Sequence, residues 1–367
     1  MDPHIDNITN SGDNLMLTVS GINLSLANAI RRVILSDIPT VVFKTSPIEQ
    51  NKCNIEVNTT RFNNEIIKQR LSCIPIHIKD LEIPLSNYLL EVDVENLTDT
   101  VMYVTTKDFK IKNTVTGEHL SKKDTLEIFP ANMQTGYFID FLRLRPKISD
   151  QIPGEKIKLT CEFSIKTASD DGMFNVVSTC AYGNTVDDVK MEVELNKKKQ
   201  AWKDQGLSKE DIEFEAVNWK LLDGKRIYIK DSFDFVIQSV GVFSNEEIFQ
   251  KACDILIKGL QNINTLVDTD EIKINQAETT MNNCYDVILE NEDYTYGKVI
   301  EYVLYSKFYE QGILTYCGFK KFHPHDNYSI IRVTYKDDVD KNIIKGHLKN
   351  SVDDSIAVFA KLKKMKL

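Results

Sequence analysis

The chain has 367 residues, 42% hydrophobic and 27% charged, which predicts a globular protein of two or three domains and excludes a small disulfide-stapled scaffold. Acidic residues outnumber basic ones by 54 to 45, for a formal net charge of −9, so the surface should repel phosphate backbones and a free-standing nucleic-acid binder is disfavoured. No apolar run approaches the roughly 18 residues that span a bilayer and the start is not signal-like, so we expect a soluble, intracellular chain without a membrane partner.

The N-terminal segment predicts a strand, a turn and a helix. Leu15, Leu17 and Val19 alternate with more polar residues, which indicates a half-buried strand. After a turn at 21–23, apolar residues recur at helical spacing until Pro39 ends the helix. Residues 41–43 predict another short strand.

The character of the sequence changes between residues 46 and 184. Short apolar segments separated by turn-rich pieces predict a strand-rich domain inserted into something else. The segments are 87–96, 101–106, 125–130, 156–165 and 173–182. An amphipathic exception at 63–76 predicts a short helix ended by Pro75.

Two further helix starts precede the C-terminal part. Ser208 with Asp211 begins a helix within the highly charged residues 185–225, and the capping-box pattern of 244–247 begins a long one. A strand at 233–242 lies between them. The long helix has one apolar face, formed by Ile248, Ala252, Ile255, Leu256, Gly259 and Ile263.

The C-terminal part follows a polar stretch, residues 265–282, that we interpret as a linker. It predicts a strand at 284–291, a helix at 294–309, a strand at 327–336 and a terminal helix. The apolar stripe of that terminal helix comprises Ile344, Leu348, Val352, Phe359 and Leu362.

An internal repeat appears when the chain is shifted along itself by 270 positions. The first strand then falls on Tyr285, Val287 and Leu289. The first helix falls on a second apolar stripe, Tyr296, Val299, Ile300, Val303 and Leu304. One strand–helix unit cannot close a core, so we interpret the pattern as two units that bury their stripes against each other across an approximate two-fold axis. The alternative is a chance similarity between two amphipathic helices.

The N-terminal two thirds of the chain resemble a known family. Residues 22–43 closely resemble the characteristic helix of alpha-type RNA polymerase subunits, which include bacterial alpha, its archaeal D-like homologue and the third-largest subunit of polymerase II. Residues 61–76, 153–172 and 233–260 resemble the following short helix, the later strand pair and the second dimerisation helix of that family.

The C-terminal part resembles the small partner of the same family. Residues 290–304 and 318–333 are similar to the archaeal L-like homologue or the eleventh subunit of polymerase II. A single chain with both partners resembles the fused third/eleventh subunit of large cytoplasmic DNA viruses. That resemblance implies a location in the host cytoplasm, at viral factories, and in the virion, with the nucleus as the alternative.

The resemblance implies an α+β fold: an alpha-type RNA polymerase dimerisation domain with an inserted strand-rich domain, fused to a second small α+β dimerisation domain. The expected parts are 1–45 with 185–264 for the alpha-type domain, 46–184 for the insert, 265–282 for the linker and 283–367 for the eleventh-subunit-like domain.

The implied function is that of a non-catalytic assembly scaffold in a DNA-directed RNA polymerase. The second-largest subunit would dock on it first and the largest subunit next, with tenth-subunit-like and twelfth-subunit-like small subunits as further partners and no sequence-specific nucleic-acid contact. The family places Arg31 and Arg32 at the second-largest subunit, although a solvated helix surface is the plainer interpretation. The expected intramolecular dimerisation residues are Leu26, Ile30, Val33, Ile248, Ala252, Ile255, Tyr296, Ile300, Val303, Leu304, Leu348 and Phe359.

No cofactor or metal site is expected. The seven cysteines are scattered without a C-x-x-C pair, which predicts free thiols in a reducing compartment. Cellular homologues often carry a zinc-binding or iron–sulfur cysteine cluster in the inserted domain, but this chain has no cysteine between Ile76 and Asp140. We therefore expect packing to hold the loop that a metal would have organised.

Other residue patterns leave two rival functions open, a stand-alone nucleotide-processing enzyme and an adaptor that borrows the dimerisation fold. Glu91, Asp93 and Glu95 alternate on one strand face, without neighbouring catalytic partners in sequence. His323 and His325 have the spacing of metal ligands but lack a third. The lysines at 197–199 before Trp202 suggest nucleic-acid contact, yet their acidic surroundings favour a solvated helix.

Overall fold

A computed structural model describes residues 1–149 and 151–367. It shows the expected α+β fold, in two compact units. Unit 1 consists of Met1–Val33, Thr179–Gln238 and Phe249–Leu367, and unit 2 consists of Ile34–Ser178 and Ser239–Ile248. None of the helices in the described ranges is long and apolar enough to cross a membrane.

The described residues form eight α-helices and fifteen strands. The helices are α1 Leu24–Ser36, α2 Asn64–Ser72, α3 Lys122–Ile128, α4 Asp188–Asp204, α5 Lys209–Leu221, α6 Asn245–Asp268, α7 Tyr294–Leu304 and α8 Lys341–Lys364. The strands are β1 His4–Ser11, β2 Asn14–Ser20, β3 Thr40–Phe43, β4 Cys53–Asn58, β5 Tyr88–Glu95, β6 Met102–Thr105, β7 Lys110–Asn113, β8 Asp140–Leu144, β9 Lys156–Lys166, β10 Val177–Val186, β11 Tyr228–Ser239, β12 Lys273–Gln276, β13 Cys284–Glu290, β14 Leu314–Lys320 and β15 Tyr328–Tyr335.

Two four-stranded antiparallel sheets carry the repeat. Their strand orders are β1-β2-β11-β10 and β12-β13-β15-β14. In the first sheet, the register places Leu17 opposite Phe235 and Val19 opposite Phe233, and all four side chains are buried. In the second, Val287 lies opposite Ile331. Both sheets therefore have an apolar face built from alternate residues of their central strands.

The secondary structure confirms the predicted repeat and extends it. β13 begins and ends 270 residues after β2, and α7 begins 270 residues after α1. A second offset, of 96 residues, relates the later elements: β15 ends 96 residues after β11, and the 24-residue helix α8 begins and ends 96 residues after the 24-residue helix α6. Each copy thus has the chain order strand, short helix, strand, long helix.

The two short helices also begin in the same way. The Asn23 Oδ1 accepts a hydrogen bond from the Ser25 backbone N–H at 2.9 Å, and the Asp293 Oδ1 accepts one from the Thr295 backbone N–H at 2.8 Å. These residues are also 270 positions apart. Side-chain oxygens at this position satisfy backbone donors that have no partner within the helix. Equivalent caps in both copies argue against a chance similarity of two apolar stripes.

Unit 2 is the strand-rich part of the chain. Its main sheet has the order β3-β9-β5-β7, β4 also pairs with β9, and β6 pairs with β8 in a separate ribbon. Phe109 makes edge contacts with Phe129 and Phe141, with ring centroids 5.2 and 5.5 Å apart. Phe129 also stacks on Phe43. Two of these rings, Phe109 and Phe129, belong to the segment between Ile76 and Asp140, where we expected packing to organise the loop.

The two compact units divide the chain at other points than the predicted domains, whose limits stay a prediction. The units divide after Val33 and Ser178 rather than after residues 45 and 184. β3 accounts for the first difference, because it pairs with β9 of unit 2. The predicted 265–282 linker is partly ordered: α6 continues to Asp268, and β12 pairs with β13 through residues such as Ile274, which is buried.

Some of the other predicted helices and strands are confirmed, and others are wrong. The helices starting after Ser208 and Ser244 and the one ending before Pro75 are confirmed as α5, α6 and α2. Residues 125–130, expected to form a strand, instead end α3, because Ser121 caps that helix by accepting from the Asp124 N–H at 3.2 Å. The strands that were not predicted are β1, β4, β7, β8, β12 and β14. β1 is polar and largely exposed, so it lacks the apolar alternation that marks a strand.

Candidate assembly interface

The predicted dimerisation residues are largely inside the fold. All of them except Ile255 and Tyr296 are buried, and seven are fully inaccessible: Leu26, Ile30, Val33, Ile248, Ala252, Ile300 and Phe359. They come from α1 and α6 of the first copy and from α7 and α8 of the second. Burial alone does not identify the surface against which each side chain packs, so the polar contacts between the copies are more informative.

A ladder of polar contacts joins α6 and α8. The Lys363 Nζ lies 2.6 Å from the Asp254 Oδ1, and the Lys349 Nζ lies 2.5 Å from the Asp268 Oδ1. Between them, Asn264 donates to Asp353 at 2.6 Å, and beyond them Lys345 bonds Asp270. As the residue number rises along α6, the number of the partner residue on α8 falls. The two long helices of the repeat therefore lie side by side and antiparallel.

The α6 and α7 helices meet at a glycine. The Tyr296 hydroxyl donates a hydrogen bond to the Ile255 carbonyl at 3.3 Å. One turn further along α6, a Cβ on Gly259 would lie 2.2 Å from the Tyr296 hydroxyl oxygen. Only a residue without a side chain leaves space for the tyrosine there. The two predicted residues that are only half-buried thus form the direct contact between these helices.

Arg32 connects α1 to the start of α7. Its Nε donates to the Thr295 Oγ1 at 2.8 Å, and its Nη2 forms an ion pair with the Asp293 carboxylate. That carboxylate also caps α7, so one acidic side chain serves both a helix end and a contact between the copies. Both charged groups keep about a third of their surface exposed. The expected contact of Arg32 with the second-largest subunit stays a prediction, but the structure gives this residue an internal partner.

The Arg31 side chain, unlike that of Arg32, bonds a residue of its own helix. Its Nε and Nη2 donate to the Asn28 Oδ1, at 3.1 and 2.9 Å, within the same helix. The side chain is half-buried and has further N–H donors on its guanidinium group. A planar fork anchored at one end can present its remaining donors to a carboxylate or carbonyl of a partner. Of the two arginines, Arg31 is therefore the better candidate for an intermolecular contact.

The strand carboxylates of the rival enzyme interpretation lie in cross-strand ion pairs. The Lys156 Nζ is 3.2 Å from Glu95 and 3.7 Å from Asp93, and Glu91 contacts both His119, at 2.8 Å, and Lys112. Partial burial opposes ionisation of Glu91, but the bond to His119 and the charge of Lys112 lower its pKa. The fold thus supplies the histidine and lysine neighbours that the local sequence lacks. Alternating charges on exposed strands favour a solvated, paired sheet face.

The remaining candidates do not form a metal centre. His323 and His325 have ring centroids 5.1 Å apart on an exposed turn. Across residues 1–149 and 151–367, no three histidine, cysteine or acidic side chains converge as metal ligands. The lysines at 197–199 belong to α4, where Lys197 pairs with Glu194 at 2.5 Å.

The comparison with protein families covers α1 and much of α6, two of the helices that make the contacts described above. The sequence profile of the RNA polymerase Rpb3/Rpb11 dimerisation domain matches residues 17–260, which run from the middle of β2 to about two thirds of the way along α6. This chain belongs to that family. The alpha-like match covers more than half of the chain and includes α1 and Arg31, whereas α7 and α8 lie beyond it.

Individual relatives of this alpha-like chain are RNA polymerase subunits. The DNA-directed RNA polymerases I and III subunit rpac1 of Dictyostelium discoideum is 25% identical over 312 residues, covering 72% of this chain and 83% of that protein. The DNA-directed RNA polymerases IV and V subunit 3B of Arabidopsis thaliana is 43% identical over 54 residues, 15% of each chain. The family and these relatives support a role as a polymerase assembly subunit.

Sequence reasoning missed the polar residues that join the two copies. Asp254, Asp268, Lys349 and Lys363 look like ordinary solvent-facing charges, because their partners are more than 80 residues away in the chain. The matched 24-residue lengths of α6 and α8 could have indicated them. Two equal helices in corresponding places of a repeat are expected to pair across its axis.

Proposed function

We propose that this chain is a non-catalytic assembly subunit of a DNA-directed RNA polymerase and contains both partners of an alpha-like heterodimer. The observation that carries the proposal is the antiparallel polar ladder between α6 and α8, the corresponding long helices of the two copies. Membership of the dimerisation-domain family supports the same conclusion for the first copy.

Fusion of the two partners has a simple physical advantage. Separate subunits must find each other at cellular concentrations. A short covalent connection raises the effective concentration of one partner around the other to roughly the millimolar range. Between α6 and β13, only residues 269–272 and 277–283 lie outside a helix or strand. We infer that the pair forms during folding of the chain and then stays together, as an obligate interface does.

The proposal includes the docking order that the family resemblance implies. The second-largest subunit would bind the α1 surface through Arg31, and the largest subunit, with the active-site metal, would bind next. Subunits like the tenth and twelfth would complete the platform. The acidic net charge agrees with a protein that binds other polymerase subunits rather than DNA itself.

Size-exclusion chromatography of the full chain with the second-largest subunit tests the proposal. We expect a stoichiometric complex, which an adaptor or a stand-alone nucleotide-processing enzyme would not form. Arg31→Glu should weaken this complex at least about tenfold, as expected when an interface arginine is lost. Lys258→Glu, which makes the same charge change at an exposed site on α6, should bind normally. Normal binding by Arg31→Glu would refute the docking assignment, and no complex with the wild-type chain would refute the function.

We extend the proposal to a viral polymerase. A fused pair resembles the arrangement in large cytoplasmic DNA viruses, for which the host cytoplasm and the virion are the places of transcription. Immunofluorescence of infected cells, together with mass spectrometry of purified particles, tests this. Exclusively nuclear staining would refute it and favour the alternative location.

A further inference from the structure

The charged segment between β10 and β11 forms a helical hairpin. α4 and α5 lie against each other, and the Leu195, Ile212 and Ala216 side chains on their facing sides are buried. Gly224 closes the base of the hairpin, where a Cβ would lie 3.0 Å from the Met191 sulfur. A single layer of two helices buries only the stripes that face each other.

α5 has a second apolar stripe on its opposite side. Phe214, Val217 and Leu221 are 70%, 61% and 59% exposed. At 100° per residue they fall within a sector of about 60°, on the side of the helix opposite the buried Ile212 and Ala216. Single exposed hydrophobic residues are ordinary, but three at helical spacing form a continuous ridge. This ridge (the α5 ridge) has the pattern of a surface that packs against another helix.

The size and charge of the α5 ridge indicate its partner. A 13-residue helix is about 20 Å long, and its ridge covers on the order of 300 Å², against about 800 Å² per partner in a stable dimer. A second copy of this chain would therefore bind too weakly alone. Exposed Glu210 and Glu213 flank the N-terminal half of the ridge, and Lys220 flanks its C-terminal end. A complementary helix has an apolar stripe and a basic flank opposite the two glutamates.

We propose that the α5 ridge docks an amphipathic helix of another subunit within the same polymerase. This inference rests on the proposed function, since an interface this small needs a partner already held in the assembly by larger contacts. The helix packs its apolar residues, spaced i, i+3 and i+7, between those of α5 and completes a three-helix layer with α4. Its lysines or arginines lie beside Glu210 and Glu213.

Hydrogen exchange of residues 209–222 tests the proposal, measured in the free chain and in the purified polymerase. We expect exchange to slow at least about tenfold in the assembly, because docking suppresses local opening of α5. Phe214→Asp should abolish that protection while the chain stays in the complex. Lys198→Asp, at an exposed site on α4, should retain it. A photoreactive phenylalanine at position 214 should cross-link one polymerase subunit, at a peptide with the predicted apolar and basic spacing.

Three outcomes would overturn the inference. If exchange of α5 is equally fast in the free chain and in the polymerase, the ridge is uncovered, although the proposed function stands because the chain is in the complex. If protection appears in the free chain and rises with its concentration, the partner is a second copy. If the chain enters no polymerase, both the inference and the proposed function fail.

Discussion

At the scale of single residues, Arg32 shows how one side chain can connect two parts of a duplicated fold. Its guanidinium reaches the cap residue of α7, so the contact is between the side chain of one copy and the helix start of the other. A planar fork suits this role, since it can donate to a hydroxyl and a carboxylate together. Lysine, with a compact ammonium group, would hold only one of the two partners well.

A double-mutant cycle measures the Arg32–Asp293 pair. Arg32→Gln removes the charge, and Asp293→Asn removes the acid while retaining a good helix cap. We expect a coupling energy of about 0.5–1 kcal/mol in urea unfolding, because both groups are partly exposed and water screens the pair. A coupling energy near zero would show that the ion pair contributes nothing to stability.

His347 predicts a specific pH dependence of stability. Its ring stacks on Phe308 with centroids 4.1 Å apart and contacts the Tyr335 hydroxyl at 3.1 Å. Burial disfavours the charged ring and lowers the pKa of His347 below its usual 6.5. Below pH 6.5 the unfolded chain therefore binds a proton that the folded chain does not, and stability falls as the pH falls.

We expect His347→Phe to flatten the loss of stability between about pH 7 and about pH 5. Chemical denaturation at several pH values measures this slope. His325→Phe, at an exposed turn, is the control and should keep the wild-type slope. An unchanged slope for His347→Phe would contradict the role assigned to this half-buried ring.

At the scale of elements, the meeting of α6 and α7 depends on Gly259. Glycine usually weakens a helix by about 1 kcal/mol relative to alanine. Here the cost is offset because the missing Cβ leaves space for Tyr296 and its bond to the Ile255 carbonyl. The small residue therefore lets the two helices approach closely at this point.

Gly259→Ala and Gly346→Ala should therefore shift stability in opposite directions. The first introduces a clash that costs about 1–3 kcal/mol, which exceeds the gain in helix propensity. Gly346 lies on α8 with no atom within 4 Å of a Cβ, so its replacement should stabilise the chain by up to about 1 kcal/mol. Thermal unfolding of both variants measures the two shifts in stability. A stabilised Gly259→Ala chain would contradict the tight contact between Gly259 and Tyr296.

At the scale of the whole molecule, the two copies should stay together without their covalent connection. The turn at 277–283 is largely exposed and joins β12 to β13. A protease site inserted between Thr279 and Thr280 would cut the chain there, and such exposed turns tolerate insertions. We expect both fragments to co-elute in size-exclusion chromatography, because the contacts of α6 with α7 and α8 join elements on opposite sides of the cut.

Elution of the cut chain in concentrated urea is the control, since it should separate the fragments and show that cleavage is complete. Separation in native buffer would contradict an obligate interface between the copies. Such separation would also remove β12 from its sheet, because β12 precedes the cut and β13, β14 and β15 follow it.

Much of the fold could be predicted from residue patterns. Alternation at Leu15, Leu17 and Val19 specified β2, and the capping box at Ser244 specified the start of α6, where Ser244 and Glu247 exchange hydrogen bonds of 2.7 and 3.1 Å. Such features depend on neighbours a few residues apart. The polar strand β1 and the helix α3 were missed or misassigned, because their local apolar pattern is weak.

By itself, the sequence determined the repeat, the α+β class and the buried stripes, since periodicity and helix caps are local properties of the chain. Only the tertiary structure decided that Arg32 pairs with Asp293, that His119 reaches Glu91 and that α6 and α8 run antiparallel. Each of these contacts joins residues between 28 and 261 positions apart. The sequence positions of charged side chains do not indicate which distant residue each one will contact. The packing of the surrounding helices and strands determines that partner.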